Sequence, residues 1–332
     1  MNIVFSEGSG LNDSVYGNCQ APIRMFIEQR GEQFEQTSVL KNLFLMGKSE
    51  NYGDLLTTMT AMSGFNPVGE NGAYPTDGMQ EGYKKLLVYD TWKDSFRISA
   101  EIIEDSKLLD LRARPAAFMT SYGRTREMFG AALFGGALNG NNAVSYRGKT
   151  FDLKAADGKS LFHTGHTAKV KGANQCNCFS DAFSADALGK LETKMHLFRG
   201  DNDEILDVAP DTIVIPEDAD LKKAVFAAIG ADKDPITANN AFNYQYGRWN
   251  VIVWSYLNQF ITGGTAPWML LDSKYNETYG GAVWNDRIEL AVRSTIDENT
   301  DANVWRGRSR FNAAFNDWRF AAAGGMSGGN SL

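Results

Sequence analysis

The chain has 332 residues, of which 43% are hydrophobic and 12% aromatic, which is enough apolar material for one large domain or two of ordinary size. Its formal net charge is −7, and no stretch collects a dense block of lysine and arginine. We therefore do not expect a sequence-specific nucleic-acid reader, because affinity for phosphates depends on clustered cations.

The first residues lack the basic segment and apolar run of a signal peptide, and the longest nearly apolar run, residues 129–138, is far shorter than a membrane span. Three cysteines, an odd number, argue against a disulfide framework and fit a reducing compartment. We expect a protein that is made in the cytosol and has no membrane partner.

Residues 1–50 carry short apolar clusters separated by polar stretches and show no compact periodic pattern. They predict an extended amino-terminal arm with little helix.

Residues 51–98 predict a long β-hairpin flap around a glycine- and proline-rich tip, residues 63–82, which contains no lysine or arginine. The second limb alternates, with one face formed by Leu86, Val88, Trp92, Phe96 and Ile98 and the other by Lys85, Lys93, Ser95 and Arg97.

An isolated two-stranded ribbon is at best marginally stable, so the apolar face of this flap must lie on its own body or on an adjacent copy. Both arrangements remain open at this point. The apolar residues expected to contact a neighbour are Phe65, Pro67, Tyr74, Pro75 and Trp92.

Residues 99–106 begin with Ser99 and place acidic residues in the first turns, which is typical of a short helix. A longer helix is predicted from Pro115 to about residue 135, since proline is tolerated in a first turn and the glycines near residue 135 suit a helix end. On this helix Arg124, Arg126 and Glu127 are expected to lie opposite the apolar face.

Residues 171–284 predict a compact α/β region, with helices at 184–200 and 218–229 and strands at 212–216, 248–256 and 268–271. Alternation resumes at Ile288, and residues 311–320 predict a last strand pair. The glycine- and serine-rich tail, residues 324–332, is expected to be disordered.

The cluster of metal-ligating side chains consists of His163, His166, Cys176 and Cys178. One residue between the cysteines is tighter than in ordinary zinc sites, and the order of ligands is uncommon, so we expect passive side chains here. No coherent set of acid, base and nucleophile is present. We therefore expect no enzymatic activity, no cofactor and no metal.

The order of these elements resembles that of the major capsid proteins of tailed bacteriophages. Residues 99–106 resemble the segment that opens the family's spine region. Residues 157–166 are similar to a loop of its Mu-like branch, and residues 268–272 and 316–320 resemble its late strands. The resemblance covers roughly residues 35–323, with motifs that are individually short.

This resemblance implies an α+β fold, the Hong Kong-type capsid fold, with an amino-terminal arm (1–50), an extended hairpin loop (51–98), a peripheral domain with the spine helix (99–170 and 285–323) and an axial domain (171–284). It implies a virion protein, assembled in the host cytoplasm, that forms pentamers and hexamers of an icosahedral shell around double-stranded DNA, without sequence-specific binding.

The expected partners are further copies of the chain, a portal and decoration proteins. Because the flap begins near residue 51, we expect no built-in scaffolding segment and hence a separate scaffolding protein. A covalent link between subunits, as in certain relatives, would have to join Lys84 or Lys85 to Asn312 or Asn316, but no motif supplies the catalytic acid. The alternatives are an encapsulin-like nanocompartment shell of the same fold and a soluble enzyme with a lid hairpin.

Overall fold

A computed structural model describes residues 3–8, 10–11, 15–59, 65, 67–74, 76, 81–105, 108–230, 243–262 and 266–332, with backbone only at 59, 81 and 108–110. Helices and sheets are mixed along the chain, as predicted. Within the described residues, no helix is both long and apolar enough to span a bilayer.

The described strands are β1 Val4–Glu7, β2 Leu45–Lys48, β3 Gly53–Met59, β4 Glu81–Val88, β5 Asp90–Ile98, β6 Ala143–Tyr146, β7 Lys149–Asp152, β8 Thr212–Ile215, β9 Asn250–Val253, β10 Trp268–Leu271, β11 Ala282–Asp297, β12 Ala302–Phe315 and β13 Ala321–Gly324. The described helices are α1 Gly17–Thr37, α2 Leu40–Leu43, α3 Ala100–Glu104, α4 Leu108–Leu138, α5 Ala185–His196, α6 Ala219–Ile229 and α7 Ser273–Tyr279, with a 3-10 turn at Ser255–Gln259.

The arm is far more helical than predicted, because α1 runs for 21 residues. Its buried apolar side chains, Ile23 and Ile27, are one turn apart and pack against Phe118 and Met119 of α4. So narrow an apolar stripe among polar residues gives a weak periodic signal, and the helix is stabilised by this packing on α4.

The spine helix α4 has 31 residues and continues through Pro115, so the predicted start at that proline was wrong. Its central residues, including Phe129 and Phe134, are fully buried in the main core. Arg126 and Glu127 are also buried, which corrects their predicted place on the polar face. Both have partners in other elements that a sequence pattern cannot reveal.

A five-stranded sheet forms the frame beside α4, with strand order β1-β11-β12-β5 and β2 also paired to β11. Strands β11 and β12 are a long antiparallel pair, and the two arm strands lie parallel to β11 near its opposite ends. The arm is therefore an integral part of the sheet.

The second limb of the predicted flap divides between two sheets, which corrects its predicted extent. Only β3 and β4 form the hairpin, whereas β5 pairs along its whole length with β12. The reason is packing within the chain. Trp92 stacks on Phe311 with ring centroids 5.0 Å apart, and Phe96 stacks on Trp305 at 6.0 Å.

The second sheet has the strand order β13-β10-β8-β9. Strands β8, β9 and β10 lie in the predicted α/β region, and β13 joins them from the carboxyl-terminal segment. Its helices α5 and α6 begin at Ser184 and Asp218, whose side chains accept hydrogen bonds from backbone N–H groups of the first turn.

The carboxyl-terminal segment differs from the sequence prediction in two ways. First, β12 ends at Phe315 and β13 crosses to pair with β10, so residues 311–320 are not a last strand pair. Second, the tail is ordered, since the N–H groups of Met326 and Asn330 donate to the carbonyls of Phe179 and Cys178 at 2.9 and 3.0 Å. Backbone pairing outweighs the flexibility that its glycines and serines predicted.

Candidate assembly surface

The hairpin of β3 and β4 lies with one face on the body and the other in solvent. Leu87 packs with Tyr89 and Ala314, and its side chain is 3% exposed. Its neighbour Leu86 is 62% exposed and stands directly across from the exposed Leu55. Leu86 therefore does not lie on the body of its own subunit, and it does not share one face with Trp92 and Phe96 as the alternation predicted. Tyr89 separates β4 from β5, and the alternation shifts by one residue there, which exchanges the two faces.

The described residues between 65 and 76 form the outer part of the hairpin tip. All of them are exposed, and Phe65 and Tyr74 have exposed fractions of 108% and 96%. Pro67 is exposed beside them, while Pro75 lies outside the described residues. The turn closes with a 2.8 Å hydrogen bond from the Gly72 N–H to the Gly69 carbonyl, and Asn71 between them has a φ of 62°.

The carboxylate of Asp54 fixes the hairpin at its root. It accepts hydrogen bonds from Ser49 (2.8 Å), Asn51 (3.1 Å), Asn285 of β11 (3.0 Å) and the Tyr89 hydroxyl. Burial opposes ionisation, but these donors outweigh it and lower the pKa of Asp54. One ionised side chain thus joins the arm, the hairpin and the five-stranded sheet.

A second set of contacts braces the hairpin farther out. The ammonium of Lys85 lies 3.2 Å from the carboxylate of Asp152 and donates to the carbonyl of Lys154. Burial lowers the pKa of Lys85, and Asp152 acts against that effect. Beyond it, the Tyr83 hydroxyl lies 3.3 Å from that of Thr167, and the ammonium of Lys169 lies over the Tyr83 ring.

The four described residues among the five expected at a subunit contact therefore occupy two places. Phe65, Pro67 and Tyr74 project from the tip, whereas Trp92 lies in β5 and donates from its indole N–H to the Phe311 carbonyl at 3.3 Å. The anchors of the hairpin were not foreseen from the sequence. Asp54 and Lys85 are ordinary polar residues in an alternating strand, and their partners lie far away in the chain.

Beneath the root of the hairpin, Arg126 of α4 forms a two-point ion pair with Asp286 of β11 at 2.7 and 2.9 Å. The guanidinium lies near the rings of Trp284 and Phe311, 4.8 and 4.9 Å from their centroids. Burial would lower the pKa of Arg126, but Tyr122 and Asp286 raise it above its ordinary value. The pair fixes the spine helix to the sheet that carries the hairpin.

An open cleft of ≈ 1170 Å³ lies between the arm, α4 and β11. Its charged groups are largely paired, as in Lys41 with Glu35 at 3.0 Å and Arg126 with Asp286. The cleft presents no set of catalytic groups.

The histidine and cysteine cluster is organised as packing and hydrogen bonds. Both ring nitrogens of His166 are engaged, by Asp157 and by Asn177, and Nδ1 of His163 accepts from the Gly165 N–H. Burial raises the pKa of the Cys178 thiol to about 11. Within the described part of the chain, no group of three or more His, Cys, Asp or Glu residues is arranged to hold a metal ion.

Two of the side chains considered for a covalent link are engaged within the chain. Lys85 is held by Asp152, and the amide of Asn312 donates to the Val88 carbonyl at 2.7 Å. Asn316 is buried. Within one subunit, Lys85 and Asn312 therefore contact the residues around the hairpin.

Comparison with known sequences gives a family. The sequence model of the family described as "Phage capsid protein" matches residues 88–324, well over half of the chain. No match was found among curated protein sequences.

The chain is also similar to several solved structures. A virus-like particle from Pyrococcus furiosus has 9% identity and a TM-score of 0.47, over 91% of this chain and 97% of that one. A chain of Mycobacterium phage Patience has 11% identity and a TM-score of 0.49, over 94% and 89%. The capsid of Ralstonia phage GP4 has 11% identity and a TM-score of 0.48, over 86% and 90%.

Proposed function

Because the chain belongs to the phage capsid protein family, we propose that it is the major subunit of the head shell of a tailed phage, assembled from pentamers and hexamers. It is a capsid shell protein with the mixed helix and sheet fold expected from its sequence, the Hong Kong-type capsid fold. Its role is structural.

The observation that carries the proposal is the exposed hairpin tip. Large aromatic side chains such as Phe65 and Tyr74 are costly to leave in water, and on a projecting ribbon they are typical of a surface that binds another protein. The contacts of Asp54 at the root, and those of Lys85 and Tyr83 farther out, hold the hairpin in place before any partner binds. This reduces the ordering cost of association. We assign the partner as an adjacent copy of the same chain.

The charge of the chain agrees with a container for DNA. A net charge of −7 without a dense basic block disfavours tight binding to the phosphate backbone. We propose that double-stranded DNA is enclosed without sequence-specific contacts. A separate scaffolding protein, a portal and decoration proteins complete the proposed partners, with assembly in the host cytoplasm and a final location in the virion.

We assign the chain to the Mu-like branch of the family. The segments on which that resemblance rests lie together: Asn177 joins the loop at residues 157–166 to the Trp318 carbonyl, and the Asp272 N–H donates to the Phe320 carbonyl at 2.9 Å. Three short motifs that are distant in sequence thus form one structural unit, which supports treating them as one combined resemblance to that branch.

The test replaces residues 65–76 with a short glycine and serine turn. We expect the body to keep its circular dichroism spectrum and melting temperature, because the described residues of the replaced segment are all exposed. We also expect large assemblies to disappear from sedimentation profiles. The matched control is Glu70→Gln, which changes the charge of the tip but leaves its aromatic residues. Normal shells from the replaced chain would contradict the role given to the tip.

The contents of the particles test the proposal that the shell encloses double-stranded DNA. Particles purified from an infected or induced host should contain double-stranded DNA that nuclease cannot reach. A folded cargo protein in place of nucleic acid would instead select the nanocompartment function.

A further inference from the structure

A buried histidine outside the assembly surface has two acceptors facing it. The side chains of His166 and Asp157 are 0% and 2% exposed, and His166 Nδ1 lies 2.7 Å from a carboxylate oxygen of Asp157. On the other side, Nε2 lies 3.1 Å from the amide oxygen of Asn177. The ring stacks on Trp318 with centroids 4.3 Å apart, so it has little freedom to turn away.

The orientation of the Asn177 amide is determined by its surroundings. Its oxygen accepts the backbone N–H of His163 at 2.9 Å. Its NH₂ group faces three carbonyl oxygens, those of Leu161, Ala321 and Trp318, at 2.9, 3.0 and 3.4 Å. A flipped amide would set donor against donor and acceptor against acceptor at these contacts. The oxygen therefore faces His166, and Nε2 must carry a proton.

Because Nε2 carries a proton, the short bond to Asp157 needs a second one. A neutral ring protonated at Nε2 has a lone pair at Nδ1, and that lone pair would face an ionised carboxylate. The contact is satisfied only when one proton lies between Nδ1 and the carboxyl group, on either partner. The buried pair then has no net charge, as burial requires.

We propose that His166 and Asp157 form a proton-held lock that fixes the loop at residues 157–169 against Asn177 and Trp318 and, through that loop, steadies the hairpin. The proposal goes beyond the shell function and does not depend on it.

Asp157 is the group that balances a positive charge on His166, because the neighbouring carboxylates are paired with an arginine. Arg319 is paired with Asp201 at 2.9 Å and with Asp317 at 3.2 Å. The charged and titratable groups on the elements around the ring are Asp157, Lys159, His163, Cys176, Cys178, Asp201, Asp317 and Arg319. Burial, followed by the neighbouring His166, lowers the pKa of His163, so His163 does not compete for the proton.

The loop connects this lock to the hairpin. Immediately after His166, Thr167 approaches the hydroxyl of Tyr83 at 3.3 Å, and Lys169 donates to the Gly82 carbonyl. Loss of the proton would leave a lone pair opposed to a buried carboxylate, and the loop would move to let water in. The contacts that Thr167 and Lys169 make with the hairpin would then weaken.

The direct test is the ¹⁵N chemical shifts of histidine side chains in the full-length, unassembled protein at pH 8. The chain has three histidines, so His163→Gln and His196→Gln assign the signals. We expect Nε2 of His166 to be protonated, and Nδ1 to show a shift typical of a nitrogen that holds or shares a proton. A Nδ1 shift of an unprotonated, weakly bonded nitrogen in the folded protein would overturn the proposal.

A second test uses Asp157→Asn, whose amide can donate to Nδ1 of a neutral ring and so needs no additional proton. In the ¹⁵N spectra of this variant at pH 8, Nε2 of His166 should stay protonated, and the Nδ1 signal should move to the position of an unprotonated nitrogen. The matched control is Asp207→Asn, at the exposed pair with His196, which should leave the His166 signals at their wild-type positions. The same Nδ1 signal in Asp157→Asn and in the wild type would overturn the lock.

The connection to the hairpin has its own readout. Hydrogen exchange of residues 82–88 at pH 8 should be faster in Asp157→Ala, which removes the contact to Nδ1, than in the wild type or in Asp157→Asn, which keeps a contact. Equal exchange in the three proteins would refute the coupling to the hairpin. Because all of these measurements use the unassembled chain, their failure would leave the shell function untouched.

Discussion

Replacing Arg126 with methionine removes the cation of the buried ion pair that fixes α4 to β11. The guanidinium makes two hydrogen bonds to Asp286, and the two side chains are 7% and 17% exposed. Methionine fills much of the same volume, so the main loss is electrostatic. The variant leaves a nearly buried carboxylate without its counter-charge.

Removing one partner of a buried pair costs about 3–5 kcal/mol. The lower end applies here, because Asp286 keeps some exposure and still accepts from the indole N–H of Trp284 at 3.3 Å. The loss of the stacked cation from Trp284 and Phe311 adds to the cost. We therefore expect Arg126→Met to lower the free energy of unfolding by about 3–4 kcal/mol.

The double variant Arg126→Met/Asp286→Leu separates charge from packing. If the cost arises from the stranded carboxylate, replacing both partners should restore stability to within about 1.5 kcal/mol of the wild type. If the cost arises from lost packing, Asp286→Leu should lower the free energy of unfolding of the Arg126→Met variant further.

The assay is urea unfolding of the unassembled chain, followed by tryptophan fluorescence. Arg124→Met is the matched control, since Arg124 is exposed on the same helix, and it should change stability by no more than about 0.5 kcal/mol. A loss below about 1 kcal/mol for Arg126→Met would refute the reasoning, and so would an equal loss in Arg126→Met and Arg124→Met.

Three further predictions concern other parts of the fold. Gly324→Ala should lower the melting temperature at a cost of about 1–3 kcal/mol, because the new Cβ would lie 2.4 Å from the buried indole of Trp268; an unchanged melting curve would contradict this. Leu87→Ala should destabilise the unassembled chain by about 2 kcal/mol, whereas the exposed Leu86→Ala should leave it unchanged, and chemical unfolding of both variants measures the difference. Cys178, with its pKa raised to about 11 by burial, should resist thiol reagents at pH 8 until the chain unfolds, and rapid labelling of the native protein would refute that.

Strong local periodicity made some elements predictable from the sequence. The helices that begin at Ser184 and Asp218 have a capping side chain followed by regular apolar spacing, and both were placed correctly. The strands at Thr212 and Trp268 are short apolar runs and were also found. Where burial follows from one element's own pattern, the pattern is sufficient.

Features that depend on distant partners could not be predicted in this way. Arg126 is charged, and its burial is explained only by Asp286, 160 residues later. The division of the flap at Tyr89 depends on whether the following strand pairs with β3 or with β12, and both choices suit an alternating sequence. The order of the tail depends on backbone pairing with residues 178–181, which its composition does not reveal.

The same limit applies to the assembly surface. An excess of glycine and proline with no basic residue marked the tip as unusual, and its aromatic residues proved to be exposed. The Asp54 anchor gave no signal of its own, because its four donors come from three separate segments.

The central claim is that this chain builds a closed shell from copies of itself. The most direct measurement is electron microscopy of the purified protein, expressed with and without its neighbouring genes. We predict rings of five or six subunits, or closed particles tens of nanometres across, in at least the first preparation. A uniform population of monomers or dimers under both conditions would contradict the claim.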